Sequence, residues 1–328
     1  MGHHAQRDGC PAERDRWRNW QTCLPASRRV GIKGQVVKLV DTQDLGSCGV
    51  KPVGVRVPPC PLKMKILFLG TSAGWPLPRL GCNCEICQSK DPKDKRLRPA
   101  ILINDSILVD TGPDIYHQIL KFENCPPTGR AGKLKIENLK TLVLTHAHPD
   151  HILGFYDLTH IYNRQEKNPF LIATQETVNG LQQIYHFPLS PFKLKIVRPK
   201  EPLRVENLTL ALWPVYHNHT PTYAVKVKGR RIMIYMPDLS RLPKSERRDF
   251  RGVHLLILDG SSLGKKGHTK THQSIDEGIR LAKDLNPKLC YFTHIGHITG
   301  THQQLENYVQ KNGGKNFHIA WDGLELEI

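Results

Sequence analysis

Thr145-His146-Ala147-His148-Pro149-Asp150-His151 follows directly on the apolar run Leu142-Val143-Leu144, and this stretch decides how the chain is read. Three histidines and one aspartate fall within six positions. In a strand that ends in such a turn, residues two apart share a side, so His146 and His148 face one point. Asp150 and His151 come on the turn and at the start of the next helix, where they reach a second point. Imidazole and carboxylate suit zinc and similar divalent metals. A polar loop that happens to be rich in histidine is the plainer alternative. Four ligand-type side chains this closely spaced behind a strand weigh against it.

Outward from this stretch, four more apolar runs each end in a side chain of the same kinds. Upstream lies Ile107-Leu108-Val109-Asp110-Thr111-Gly112; downstream lie Val215-Tyr216-His217, Ile234-Tyr235-Met236-Pro237-Asp238 and Tyr291-Phe292-Thr293-His294. The H-x-H-x-D-H stretch with these four elements, in this order, resembles the metallo-β-lactamase superfamily over nearly all of residues 64–328. That resemblance implies an α/β fold, the αββα sandwich, as one domain. It also implies roles: His146, His148 and His217 on one metal ion, Asp150, His151 and His294 on a second, Asp238 on both, and Asp110 supporting the ligands from behind. Two ions (zinc or manganese) about 3.5–4 Å apart share a hydroxide and stabilise charge on an attacked phosphorus. His219 shares the strand parity of His217 and is the alternative to it. Thr220 and Pro221 stand where the superfamily more often has other residues, so the pocket is expected to differ there.

A second constellation is Gly81-Cys82-Asn83-Cys84-Glu85-Ile86-Cys87. Three thiols within six residues on a Gly-containing loop form a knuckle, and a closed structural zinc site asks for a fourth protein ligand. The candidate is His297, in His294-Ile295-Gly296-His297. Free loop cysteines are the alternative, although isolated thiols seldom cluster at metal spacing. The combination narrows the resemblance to the branch holding the phosphoribosyl cyclic phosphate phosphodiesterase and, more loosely, the pyrroloquinoline quinone biosynthesis protein B. In the phosphodiesterase such a knuckle and a histidine just beyond the last active-site ligand hold a structural zinc, which the resemblance implies here for Cys82, Cys84, Cys87 and His297. His272, in Thr271-His272-Gln273-Ser274, resembles an extra active-site histidine of the phosphodiesterase that assists the leaving group. Its alternative is a place beside a helix cap, with Ser274 or Thr271 as the cap.

Composition agrees with this reading and excludes others. The chain has 328 residues, 39% of them hydrophobic, enough for one large core or two small ones. Nothing approaches the ~18 consecutive apolar residues of a membrane span. No basic start runs into an apolar core and cleavage site, so a cytoplasmic protein without a membrane partner is expected. Nine cysteines then point to a reducing compartment and to metal rather than disulfides. A net charge of +17 suits a small anionic phosphate ester, or RNA; a solvated basic surface explains it equally well. A homodimer is left open.

Residues 1–63 read differently, with 11 Lys/Arg against 5 Asp/Glu and no sustained periodicity. Val36-Val37-Lys38-Leu39-Val40-Asp41-Thr42-Gln43-Asp44-Leu45-Gly46-Ser47 resembles the conceptual translation of a tRNA gene. The segment is therefore expected to be a non-native or unstructured extension, with the natural start at Met64 and the hydrolase domain over 64–328. A targeting peptide is the rival, weakened by the acidic residues and prolines. Beyond it, Gly70-Thr71-Ser72-Ala73-Gly74-Trp75-Pro76 reads as a tight turn at the rim of the site. The spacing predicts helices over 113–122, 152–163, 175–184 and 274–285, and a linker or substrate-facing flap over 186–206. Cys125 reads as incidental, and His268, His302 and His318 as surface or loop residues.

The expected function is a dinuclear metal-dependent hydrolase, a phosphodiesterase for a small cyclic or nucleotide-like phosphate ester. A tRNase Z-like RNA endonuclease is the second reading, opposed by the knuckle and by the lack of a long RNA-gripping insertion. A non-catalytic, metal-binding biosynthetic accessory is the third, opposed by the intact ligand set.

Overall fold

The computed structural model describes residues 63–123, 134–264 and 270–328. The expectations for the extension (Lys63 apart), Cys125 and His268 lie outside the described residues.

The apolar runs pair into two seven-stranded sheets. The first holds β1 (Lys65–Gly70), β2 (Ala100–Ile103), β3 (Ile107–Val109), β4 (Thr141–Val143), β5 (Phe170–Ala173) and β6 (Lys193–Ile196) in spatial order, with a final strand, Glu325–Glu327, outside β1. The second holds β7 (Leu203–Val205), β8 (Leu208–Val215), β9 (Thr222–Lys228), β10 (Ile232–Met236), β11 (Leu255–Asp259), β12 (Leu289–Thr293) and β13 (Phe317–Ile319) in order. Alternate residues divide each sheet between a shared core and an outer core of its own. Ile66, Phe68, Val143, Tyr235 and Ile257 lie in the core between the sheets. Leu67, Leu69, Leu142 and Leu144 pack under α2 (Ile115–Glu123), α4 (Phe155–Arg164) and α5 (Gln175–Ile184). Ile234, Met236, Leu256 and Leu258 pack under α6 (Ile275–Leu285) and α7 (His302–Gly313). Strands covered on both faces read as unbroken apolar runs rather than alternating ones, as they do here. This is the αββα sandwich.

The fold gathers the chemistry at one edge. β3 and β4 are parallel, as are β10, β11 and β12, so their carboxyl ends lie together within each sheet. Asp110, Thr145, Asp238, Asp259 and His294 stand at or just past those ends. A backbone bond from Tyr223 N–H to the Thr145 carbonyl, 3.1 Å, ties the two sheets there. Another, from Ile295 N–H to the Thr71 carbonyl, 2.8 Å, brings in the turn after β1.

Three local expectations need correction. The helix over 152–163 is two pieces, α3 (Pro149–Ile152) and α4, interrupted at Gly154. A Cβ at Gly154 would sit 2.2 Å from the Gly112 carbonyl oxygen, so the backbones meet too closely for any other residue. Residues 186–206 do join the two halves, but as strands and not as a flap: they supply β6 and β7, one edge strand to each sheet. The alternation Lys-Leu-Lys-Ile is the period of a strand, and lysine is at home on an exposed edge. His302 is no surface residue but is buried at the start of α7. The other helices hold. Ser274 caps α6, its side chain accepting from Glu277 N–H while the Glu277 carboxylate accepts from Ser274 N–H.

Candidate metal centre

His146 and His151 are buried on either side of Asp238, with His148 and His217 beyond the one and Asp150 and His294 beyond the other. The ring nitrogens are oriented by what lies behind them. Thr145 Oγ1 donates to the buried Asp110 carboxylate (3.0 Å) and so accepts from His146 Nδ1 (2.9 Å), leaving His146 Nε2 without a proton. His217 Nδ1 donates to the Thr271 carbonyl, 2.8 Å, and His151 Nδ1 to Asp110, 2.8 Å. His217 Nε2 is then bare as well, and His151 Nε2 faces the Asp238 carboxylate. His148 has Thr220 at its back, Nε2 to Oγ1 2.8 Å, and presents Nδ1. The expected departure at Thr220 therefore serves this ring.

These bare nitrogens converge. His148 Nδ1 lies 2.9 Å from His146 Nε2 and 3.1 Å from His217 Nε2. A proton on His148 could satisfy only one of them. Asp238 Oδ2 lies 3.2 Å from His146 Nε2 and 2.6 Å from His151 Nε2, and its Oδ1 lies 3.0 Å from His294 Nε2. Asp150 Oδ2 stands 3.5 Å from both His151 and His294. Lone pairs aimed at lone pairs and at a carboxylate repel unless a cation sits between them. The titration behaviour says the same. Burial pushes the pKa of His146 well down, and those of His148 and His217 down, so these rings are neutral donors. Burial also opposes a charge on His151, yet Asp238, Asp150 and Asp110 outweigh it and push its pKa well up. The cluster is short of positive charge. Two groups of ligand atoms lie close enough to hold a divalent ion, His146, His148 and His217 on one side and Asp150, His151 and His294 on the other.

The sequence-based expectations thus meet in one place, with one exception and one omission. His219, the alternative to His217, is exposed and outside the cluster. Asp259 went unrecognised. It accepts from Leu239 N–H (3.1 Å), Ser261 N–H (2.9 Å) and His272 Nδ1 (2.6 Å). The signal was available: Leu255-Leu256-Ile257-Leu258-Asp259 is one more apolar run ending in aspartate. His272 stacks 5.0 Å from His294 and lies 4.6 Å from His217, ring to ring. Burial opposes its charge, but Asp259 raises its pKa to about 9. Asp238, Asp259, His272 and His294 are themselves near enough to hold an ion, although the short bond to Asp259 already engages His272 Nδ1.

The three knuckle cysteines and His297 are brought together. His297 Nε2 lies 3.0 Å from Cys82 Sγ and 3.2 Å from Cys84 Sγ, and Cys87 completes a group of four. A cavity of about 420 Å³ opens beside both centres, lined by Asp150, His217, His272 and His294 and, on the knuckle side, by Arg79 and His297.

A scaffold of two sheets with helices outside, and this cluster at the strand ends, defines a metal-binding hydrolase fold. The profile of the beta-lactamase superfamily domain matches residues 105–295, and the chain belongs to that superfamily, whose fold normally holds divalent metal ions. Within it, the similarities lie with the PhnP and coenzyme PQQ synthesis protein B branch. A diphosphatase of the PhnP family superposes with a TM-score of 0.69 at 27% identity, over 82% of this chain and 98% of that one. A coenzyme PQQ synthesis protein B from Rhizobium meliloti is 25% identical, over 81% of this chain and 98% of its own length. A Porphyromonas gingivalis protein described as an octanoyltransferase is 27% identical over 277 residues, 81% of this chain. This chain spans only 52% of that protein's length. The short form of human tRNase Z shares the fold, with a TM-score of 0.58 at 16% identity. No helix among the described residues is long and apolar enough to cross a membrane.

Proposed function

We propose that this chain is a dinuclear metal-dependent phosphodiesterase acting on a small cyclic or nucleotide-like phosphate ester. The observation that carries this reading is the convergence of bare ring nitrogens on both sides of one buried carboxylate. His146, His148 and His217 hold one ion, Asp150, His151 and His294 the other, and Asp238 both. Bound ions supply an activated water and neutralise the charge that grows on phosphorus. The similarity to a diphosphatase at 27% identity favours phosphorus over a carbonyl as the centre attacked.

The other residues position and protonate. Asp110 takes the protons of His151 Nδ1 and Thr145 Oγ1 and so fixes both rings that flank Asp238. Asp259 holds His272 through Nδ1, and the ring lines the cavity with Nε2 left to titrate. His272 then gives its proton to the leaving oxygen. With ions held at Asp238 and Asp150, part of the negative field behind its pKa of about 9 would be neutralised, which would lower it toward the range where a general acid is most effective. Cys82, Cys84, Cys87 and His297 hold a structural zinc, which keeps the knuckle side of the cavity in place.

Elemental analysis of the purified protein joined to a substrate panel tests this. Bis-p-nitrophenyl phosphate, a ribosyl cyclic phosphate and a precursor tRNA are offered to metal-loaded and chelated protein. Metal-dependent turnover of the first two supports the reading. Cleavage of the tRNA alone, or of none, refutes it.

A further inference from the structure

The core between the two sheets is closed at one edge and open at the other. Beside β1, Leu324 and Ile328 are buried and close it. At the opposite edge, where β6 and β7 end their sheets, a cavity of about 350 Å³ enters it. Ile172 of β5 and Val205 of β7 are its buried floor, and Leu203 shares a face of β7 with Val205. Phe170 shares a face of β5 with Ile172, so it belongs to the inner side of the sheet, yet it is 49% exposed. The residues of β6 in register with Phe170 and Ile172 are Lys193 and Lys195. Three cations line the cavity, Lys140, Lys195 and Arg204, against one carboxylate, Glu206. That carboxylate already pairs with Lys140 at 3.1 Å and accepts from Ser106 at 2.7 Å. Arg204 donates through Nε to the Glu206 carbonyl at 2.9 Å, and Lys195 has no ion-pair partner among the described residues. Charged side chains protect a free sheet edge from pairing with another strand. That accounts for the lysines but not for the apolar cavity beneath them.

We propose that this cavity binds a medium-chain fatty carboxylate, its tail along Phe170, Ile172, Leu203 and Val205 and its head at Lys195. The volume sets the tail length. Small-molecule sites begin at about 300 Å³, and a water takes about 30 Å³ of liquid. With a methylene of about that size, a cavity of about 350 Å³ admits roughly ten to twelve chain atoms. A carboxylate at the mouth supplies the missing partner of Lys195 in a charge-assisted hydrogen bond. Lys140 and Thr141 line the cavity at the amino end of β4, whereas His146 and His148 follow its carboxyl end. The site is therefore separate from the metal centre and does not rest on the phosphodiesterase reading.

Hexanoate, octanoate, decanoate, dodecanoate and tetradecanoate are titrated by calorimetry into the metal-loaded full chain, below their micellar concentrations. Affinity is expected to rise from hexanoate to decanoate by up to about fourfold per methylene, and to level off between dodecanoate and tetradecanoate. Decylammonium, with the same tail and the opposite charge, is expected to bind at least about tenfold more weakly than decanoate. Lys195→Glu should weaken decanoate by about tenfold to a hundredfold, and Phe170→Ser should flatten the dependence on tail length, both with metal content unchanged. Lys311→Glu, the same charge change on α7, should leave the affinity within about twofold. An affinity that keeps rising through tetradecanoate, or decylammonium as tight as decanoate, marks adsorption to a surface and overturns the proposal. Decanoate binding that survives Lys195→Glu overturns it too, since a carboxylate held by the metal ions gives that result. If Phe170→Ser does not fold, the tail-length series on wild type still decides. Binding to vesicles of anionic phospholipid with no binding of decanoate assigns the patch to a membrane surface and likewise refutes the proposal.

Discussion

The histidine cluster and the cysteine knuckle share one short segment, with His294 in the first and His297 in the second, but they are organised by opposite means. In the cluster, His146, His148, His151 and His217 each have a protein partner at the nitrogen turned away from the centre. Two of the partners, Asp110 and Thr145, stand just past strands whose both faces are buried, and the other two, Thr220 and Thr271, stand on the turns those strands support. The knuckle has a four-residue helix, Glu85–Gln88, and a small apolar group of Leu77, Ile86 and Cys87. Cys82, Cys84 and His297 are only half-buried. One backbone N–H, that of Arg79, reaches a thiol from outside the short Cys82–Cys87 stretch. The contrast teaches that the cluster is shaped by the fold and accepts its ions, whereas the knuckle is shaped by its ion.

Removing one ligand from each breaks the comparison if it is wrong. Asp150→Ala is expected to lower occupancy of the cluster and reduce turnover of every phosphodiester by more than about 10³-fold, while the thermal midpoint moves by only a few degrees. Cys84→Ser is expected to lose about one metal equivalent and a few kcal/mol of stability with the cluster still loaded. Elemental analysis and thermal denaturation of both proteins supply the readouts. Should Cys84→Ser keep all its zinc, or Asp150→Ala unfold, the two regions are not built as described.

A finer test stays inside the cluster and separates ligand from acid. His272→Ala is expected to leave the metal content unchanged. On an ester with a poor alkoxide leaving group it should lose about 10²–10⁴-fold, the usual range for general acid catalysis. A p-nitrophenolate leaves without a proton, so the same variant should be far less impaired on that ester. Equal losses on both, or a missing ion, would make His272 a ligand or a support.

Most of the cluster was legible because each ligand ends an apolar run, and a run buried on both faces is hard to mistake. The Thr145–His151 stretch, Asp110, Asp238 and His294 all announce themselves in this way. Asp259 has the same signature and escaped because no metal role waited for it; its work is to hold His272. What lay behind the rings was not legible. Thr220 and the Thr271 carbonyl are joined to His148 and His217 only by the turns that fold them together. His302 was misread for a related reason. At the first position of an amphipathic helix, nothing in its neighbours tells that Arg96, some 206 residues away in sequence, will be buried against it.

His302 offers the smallest and most specific effect, a histidine buried without any metal to explain it. Its Nδ1 accepts from Arg96 Nη2 at 3.2 Å, and the backbone N–H of the same residue donates to Asp94 Oδ1 at 2.6 Å. Burial, then the charges of Arg96 and Lys93, press its pKa down from 6.5 to about 4. The folded protein therefore holds this ring neutral where the unfolded chain protonates it. The resulting stabilisation is complete above pH 6.5 and is lost as the pH falls toward 4, by up to about 3 kcal/mol. Asp322 works in the opposite sense over much of the same range, because burial raises its carboxyl to about 6 and favours the fold at the acid end. The wild-type curve alone mixes the two. His302→Gln retains an acceptor for Arg96 and removes the titration, so the difference in urea midpoint between the two proteins isolates it. That difference should favour wild type least at pH 4 and grow as the pH rises to 6.5, then stay level. A difference that is flat from pH 4 to 7 would show that the ring is not held neutral by the buried arginine.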